Sequence, residues 1–433
     1  MRIRPATAVR GEVIIPGDKS ISHRSAMISA MATGVTRIAN YAPSADCFST
    51  IECLEALGVK IDNDGEHLLV NGVGKTGFSA PVKQLDCGNS GTTMRLLSGI
   101  LAGQPFASTV IGDDSLQRRP MGRIIDPLTK MGARIDSTDG SAPLTIRGSS
   151  PLNAIKYSLP VASAQIKSCI LLAGLNSNGV TTVVENTPTR DHTERMLDWF
   201  GAAVDSSVVE GGTKISISGD AQLAARDFSV PSDISSAAFF IVAAACLEGS
   251  DITMHHIGYN ETRRAVVDVV NDLGAAIEIF DLDEVCNEPV ASLRVKGGIA
   301  RSKTSETPIL RGPVIANLID EIPVLAILGT QMPDGLEIRD AGELRFKESD
   351  RVAAVVENLR RMGASVTEFP DGFRVENSRL SSATITPYGD HRIAMAFAIA
   401  GLLATGETEI TDAGCADVSF PGFFDTLESA VER

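Results

Sequence analysis

At residues 17–34 the chain reads GDKSISHRSAMISAMATG. Small, polar and basic residues open the stretch, an apolar helical run follows, and Gly34 closes it. The pattern predicts a helix capped in its first turn by Asp18, Ser20 or Ser22 and ended by Gly34. Lys19 and Arg24 crowd the N-terminal end, where cations oppose the helix dipole and destabilise it slightly. Such an end suits a bound anion, which the unpaired backbone N–H groups also favour.

The same grammar recurs in DCGNSGTTMRLLSGILAG from Asp86, SLPVASAQIKSCILLAGL from Ser158 and VPSDISSAAFFIVAAACLEG from Val230. NLIDEIPVLAILGTQMPDG from Asn317 and YGDHRIAMAFAIAGLLATG from Tyr388 complete six copies. After each comes a β-branched stretch that reads as a strand, such as VTRIAN from Val35 or VTTVVENT from Val180. A second, amphipathic helix follows. Five of these end on one signature, a hydrophobic residue, a glycine and a strand: LGVKI, MGARI, FGAAV, LGAAI and MGASV, with glycines at 58, 132, 201, 274 and 363. The sixth, FPGFFDTLESAVER, is expected to run to the end of the chain. Hairpin-like strands such as LTIRG from Leu144 and ISISG from Ile215 close the unit.

Intervals of 74, 69, 73 and 89 residues between the signature glycines mark a repeat too long for a solenoid. The reading is an α/β chain of six small modules with mixed sheets, three per domain, as its 433 residues also favour. The boundaries expected are 17–231 for the first domain and 1–16 plus 232–433 for the second, with the N-terminal strand completing the second half.

Composition narrows the function. The chain is 43% apolar and 21% charged, a globular mix, and its net charge of −15 argues against a broad nucleic-acid or anionic-membrane surface. The N-terminus lacks the apolar core of a signal peptide, and the longest apolar run, 237–247, is too short to span a bilayer. Seven cysteines without a CxxC pair read as reduced thiols in a cytoplasmic protein, and the histidines lack metal spacing. NGVGKTG at 71–77 contains a formal GxGxxG but opens no helix, so it reads as a hairpin exit.

If the modules are arranged alike, six helix starts can converge, each with about half a positive charge. They carry Lys19, Ser20 and Arg24; Asn89, Ser90, Gly91 and Arg95; Ser163, Gln165 and Lys167; Asp233 and Ser235; Asp320 and Glu321; Asp390, His391 and Arg392. The second helices add Arg119, Arg190, Lys347, Glu348 and Arg351. Many cations and a few carboxylates suggest a multiply anionic ligand and acid–base work. Singly, each is as readily a cap or a solvated charge.

In order, PGDKSISHR, GNSGTTMR, RRPMGR, ASAQIKS, FKESDR and YGDHR resemble the motifs of the 5-enolpyruvylshikimate-3-phosphate synthases, over essentially the whole chain. The resemblance implies a two-domain enolpyruvyl-transferase fold, each domain three βαβαββ-type units, with helix N-termini facing the interdomain cleft. It implies transfer of the enolpyruvyl group of phosphoenolpyruvate to the 5-hydroxyl of shikimate 3-phosphate, releasing phosphate. By resemblance, Lys19, Ser20, Arg24, Ser163, Gln165, Arg190, Asp320 and Lys347 bind shikimate 3-phosphate. Lys19, Gly91, Arg119, Gln165, Arg351 and Arg392 bind phosphoenolpyruvate. Asp320 is the expected base, Glu348 the acid, with Lys347 and Lys19 aiding. No cofactor or metal is implied, the partners are the two small substrates, and a cytoplasmic monomer is expected.

The sequence departs from the enterobacterial and plant pattern. Val418 occupies the position of the family's lysine in the last module, Leu96 that of a proline and Glu343 that of an asparagine. Gly91 lacks the alanine methyl often found in the second bacterial subgroup, so glyphosate is expected to compete with phosphoenolpyruvate. A UDP-N-acetylglucosamine enolpyruvyl transferase would show a KNA-type first motif and a loop cysteine. An RNA 3′-phosphate cyclase would carry a nucleotide-accepting histidine motif. A non-catalytic anion binder would hold both ligands without releasing phosphate.

Overall fold

In the computed structural model, which describes residues 1–299 and 306–433, the six leading helices are Lys19–Met31, Gly91–Ala102, Ala164–Gly174, Ile234–Cys246, Ile322–Gln331 and His391–Leu403. Five begin on a side chain that accepts a first-turn N–H: Asp18, Ser90, Ser163, Asp233 and Asp390. The helix Ile322–Gln331 has no such cap and uses a first-turn proline, which has no N–H to satisfy. These helices are buried on nearly every face, as expected for apolar segments without a polar stripe.

Two end assignments differ from the sequence reading. The first helix stops at Met31, where Ala32 turns extended, and Gly34 lies inside the strand Thr33–Ala39 with φ +113°. The last helix, Phe423–Ala430, stops short of the terminus because Val431–Glu432 pairs antiparallel with the strand Ala8–Glu12. The five signature glycines do follow helix C-caps. Their φ values of +89°, +106°, +94°, +104° and +79° lie where a side chain costs about 1–2 kcal/mol.

One structural unit comprises Gly17–Val230 and Val285–Glu288. It contains three four-stranded sheets of one topology, in which a short strand pairs parallel with a longer one that continues into two antiparallel neighbours. Leu85–Asp86, Ala107–Ile111, Ser141–Arg147 and Arg134–Thr138 form one such sheet; Lys156–Ser158, Val180–Glu185, Gly212–Ser218 and Val204–Val209 form another. In the sheet of Thr33–Ala39 the short strand is Phe228–Ser229, from the far end of the unit. The helices pack between the sheets around Met27, Leu97 and Ile170. The NGVGKTG stretch has a structural task, because Lys75 Nζ donates to the carbonyls of Leu175 (2.9 Å), Gly219 (2.7 Å) and Ala221 (2.7 Å).

Val285–Glu288 joins this unit through specific bonds. Ser229 N donates to Cys286 Sγ (3.4 Å), Arg195 Nη1 to the Asn287 carbonyl (3.0 Å), and His192 Nδ1 lies 2.8 Å from Glu288 Oε1. The sequence division had assigned these residues to the other domain, since a hairpin turn gives no sign of what it touches.

The other unit comprises Met1–Pro16, Pro231–Glu284 and Pro289–Arg433. Its largest sheet runs Ala276–Val285, Glu288–Lys296, Asp251–Gly258, Ala8–Glu12 and Val431–Glu432, with Ala8–Glu12 parallel to Asp251–Gly258. Ring contacts fix the last helix against Ile234–Cys246, with Phe423 5.7 Å from Phe239 and 5.8 Å from Phe240 between centroids.

Candidate active site

In the unit Gly17–Val230, three polar groups form at the helix starts. Lys19 Nζ lies 3.0 Å from Asp46 Oδ2. Asp46 sits in the first turn of the helix Ala45–Ala56, behind its Ser44 cap. Behind this pair a buried chain of hydroxyls runs from Thr93 Oγ1 to Thr50 Oγ1 (2.7 Å) and on to His23 Nδ1 (2.6 Å).

The second group surrounds Arg24, which is buried. Its Nε donates to Thr193 Oγ1 (2.7 Å), Nη1 to the Ser20 carbonyl (2.9 Å) and Nη2 to Ser168 Oγ (2.9 Å). Burial, then the neighbouring Arg190 guanidinium, lowers Arg24 to a pKa of about 10. Arg190 Nη1 reaches Ser20 Oγ at 3.5 Å. Behind the loop that carries Arg190, the ammonium of Lys167 is fully buried, 3.1 Å from Glu185 Oε1 and 2.7 Å from Glu194 Oε1, and donates to the Thr189 carbonyl (3.3 Å). Burial alone would lower Lys167, but Glu194 and Glu185 outweigh it and hold the ammonium above its usual range. Sequence reasoning named Lys167 but missed both glutamates.

The third group gathers Gly91, Arg95, Arg119 and Gln165. Arg95 Nη1 donates to Gln165 Oε1 (2.5 Å), Gln165 Nε2 to Thr92 Oγ1 (2.9 Å), and Arg119 Nη2 to Asn89 Oδ1 (2.7 Å). A Cβ on Gly91 would stand 2.9 Å from Arg95 Nη1 and 3.3 Å from Arg119 Nη1, so the bare glycine leaves room for both guanidiniums. Ser163 accepts from Ile166 N at 3.4 Å as the cap of its helix.

His23 supplies a pH prediction. Burial, then the charges of Lys19 and Arg24, push its imidazole well below the usual range. The folded unit therefore holds it neutral while the unfolded chain protonates it, so its contribution is present above about pH 6.5 and is lost as pH falls. Denaturant titrations at pH 7.5 and 5.0 are expected to show an extra acid loss, up to about 1.4 kcal/mol per pH unit, that His23→Gln removes. Equal pH slopes for the two proteins would refute it.

In the other unit, the Arg351 guanidinium is the hub. Its Nε donates to Asp390 Oδ2 (2.8 Å), Nη2 to Glu348 Oε2 (2.6 Å) and Nη1 to Asp320 Oδ1 (3.3 Å). Lys347 Nζ also reaches Asp320 Oδ1, at 3.4 Å. Burial would lower Arg351, but Asp390, Glu348 and Asp320 together raise it. Asp390 in addition accepts from Ser349 Oγ (3.0 Å) and from Arg392 N (2.9 Å), so the cap of one leading helix orders the second-helix loop. Asp320, Lys347, Glu348, Arg351 and Arg392 are thus assembled within one unit. Arg392 is buried and pairs with Glu321 at 3.8 Å.

Within Gly17–Val230 cations gather at helix starts, and within the other unit carboxylates share the Arg351 guanidinium; residue types of this kind suit anions and proton transfer. Among the described residues no group of three His, Cys, Asp or Glu could hold a metal ion, and no helix is long and apolar enough to cross a membrane.

Residues 3–427 match the family model of EPSP synthase (3-phosphoshikimate 1-carboxyvinyltransferase). Among curated relatives, the 3-phosphoshikimate 1-carboxyvinyltransferase of Solibacter usitatus is 48% identical, covering 100% of this chain and 99% of its own length. That of Pelotomaculum thermopropionicum is 49% identical, over 99% and 98%. The EPSP synthase structure from Acinetobacter baumannii superposes with a TM-score of 0.86 at 39% identity, covering 99% of this chain and 98% of that one. The chain belongs to the EPSP synthase family.

Proposed function

We propose that this chain catalyses the family's reaction with the residues described above: enolpyruvyl transfer from phosphoenolpyruvate to the 5-hydroxyl of shikimate 3-phosphate, with release of phosphate. In the first step Asp320 takes the 5-hydroxyl proton as that oxygen bonds to C2 of phosphoenolpyruvate. Glu348 delivers a proton to C3, giving a tetrahedral ketal phosphate. In the second step Glu348, now ionised, takes a proton back from C3 as the C2–O bond to phosphate breaks, and the enol ether forms. Lys347 and Lys19 offset the developing negative charge.

The observation that carries this assignment is the joint hold of Arg351 on Asp320 and Glu348, with Lys347 on the same aspartate. An anionic substrate competing for Arg351 loosens both carboxylates. Asp320 is then available as an acceptor, and Glu348, relieved of a cation, binds a proton more readily. Arg351, Arg392, Arg119, Gln165, Lys19 and the bare Gly91 are assigned to phosphoenolpyruvate, whose phosphate and carboxylate suit guanidinium forks. Ser20, Arg24, Ser163, Gln165, Arg190, Lys19, Asp320 and Lys347 are assigned to shikimate 3-phosphate. Arg24 acts through Ser20 and the Thr193 hydroxyl rather than by a free fork, since its donors are engaged within the unit. The acidic balance supports an enzyme acting on two small molecules without nucleic acid, and we take it as a cytoplasmic monomer.

The deciding experiment is a phosphate-release assay with both substrates and with each omitted, repeated with glyphosate. Release is expected only with both, and glyphosate is expected to compete with phosphoenolpyruvate. Gly91→Ala should weaken the inhibitor, because the added methyl presses on Arg95 and Arg119. Release from phosphoenolpyruvate alone, or none with the pair, would overturn the reading.

A further inference from the structure

Three residues at the helix starts, Asp233, Ser235 and Glu321, take no part in the mechanism above, yet all are buried. The Glu321 side chain has 0% exposure and no side-chain cap bond to its own helix. A carboxylate so deeply buried is costly unless cations face it. Two do: Arg263 Nη1 at 3.9 Å and Arg392 Nη1 at 3.8 Å from the same Oε1. Ser235 Oγ bridges the set, accepting from Arg263 Nη2 and donating to Glu321 Oε1. Arg263 is also 3.9 Å from Asp233 Oδ1.

Arg392 is held in an unusual way. It is buried, yet its Nε and Nη1 make no hydrogen bond among the described residues. Glu321 Oε2 likewise has none. The glutamate therefore holds the guanidinium by charge at close range without occupying those two donors. A carboxylate forked onto Arg392 would instead consume the donors a substrate needs. Arg263 and Ser235 restrain Glu321 from moving closer, because Ser235 binds its Oε1 and Arg263 attracts it from the turn that precedes the helix Ala265–Asp272.

We infer that Glu321, held by Ser235 and Arg263, is a positioning residue that fixes the Arg392 guanidinium for a small carboxylate or phosphate, which on the reading above is phosphoenolpyruvate. The inference rests on that assignment of Arg392, and its test separates the two. Steady-state kinetics would be run with each substrate varied at saturating levels of the other, alongside thermal melts.

Glu321→Gln keeps the shape and an acceptor for Ser235 but removes the charge. It is expected to raise KM for phosphoenolpyruvate about ten-fold, with kcat and KM for shikimate 3-phosphate changed less than about two-fold. Ser235→Ala leaves all charges in place, and is expected to raise the same KM by a smaller factor. Arg392→Lys should raise it too, and Glu321→Gln in that background should add nothing. If Arg392→Lys leaves KM for phosphoenolpyruvate unchanged, the assignment of Arg392 fails. If Arg392→Lys raises it while Ser235→Ala and Glu321→Gln do not, or if these two move both KM values and kcat alike, the positioning role is overturned. Should Glu321→Gln lose its cooperative melt, Ser235→Ala decides the question.

Discussion

Asp320→Asn and Glu348→Gln are each expected to lower kcat by about 10²–10⁴-fold, the usual range for removing a positioned general base or acid. Both substitutions preserve shape and hydrogen-bonding capacity near Arg351, so the loss isolates proton transfer. The kcat/KM values should fall with kcat, because proton transfer is felt in the transition state, while the amides keep the neutral hydrogen bonding by which Asp320 is assigned to shikimate 3-phosphate. The plainer reading of these residues, as ion partners of Arg351 and Lys347, makes a different forecast. On that reading both variants lose stability and keep most of their turnover. Thermal melts beside the kinetics decide between them, and kcat within about three-fold of wild type in a normally melting Asp320→Asn protein would end the catalytic assignment.

The largest expected effect on folding is at Lys167. Lys167→Met leaves the Glu185 and Glu194 carboxylates in the interior without their cation, and breaking a buried pair in this way costs about 3–5 kcal/mol. Denaturant unfolding should register that loss in the transition of the unit Gly17–Val230. Adding Glu194→Gln to Lys167→Met should recover part of it, since the amide is cheaper to bury than an unpaired charge. The damage extends beyond stability, because Glu185 Oε2 also accepts from Thr189 N and Oγ1 at the base of the loop bearing Arg190. A loss below about 1 kcal/mol would mean that the cluster is open to water and not the buried brace described here.

Much of the architecture was legible in the sequence because it is written in local signals that repeat. An Asp or Ser before an apolar run, and a glycine after a hydrophobic residue, each act within a few residues, and the helices they bound are those observed. Where two local signals competed, the reading erred. Gly34 could end a helix or sit in a strand, and the pairing of Thr33–Ala39 with His67–Val73 chose the strand. The last helix gave way to Val431–Glu432 because a distant strand, Ala8–Glu12, offered backbone partners.

The candidate site was legible as a collection of residue types and not as a set of pairs. Lys19 and Asp46 are 27 residues apart, Glu288 reaches His192 across 96, and Ser235 meets Glu321 across 86. Nothing local announces such partners. Glu321 reads as an ordinary polar residue at a helix start, and only its complete burial between two guanidiniums gives it another meaning. Asp46 carried a faint signal, the S-A-D sequence of a capped first turn, but its ion pair to Lys19 did not.

The strand Ala8–Glu12 constrains how this gene could be rearranged. Residues 231–433 made alone would lack it, leaving Asp251–Gly258 and Val431–Glu432 each short of a neighbour, and residues 17–230 made alone would lack the turn at Val285–Glu288. No single scission yields two self-sufficient fragments. The termini, by contrast, already lie side by side, with Thr7 N bonded to the Glu432 carbonyl at 2.8 Å. Ligating them and opening the polypeptide elsewhere is therefore the less disruptive way to re-order it.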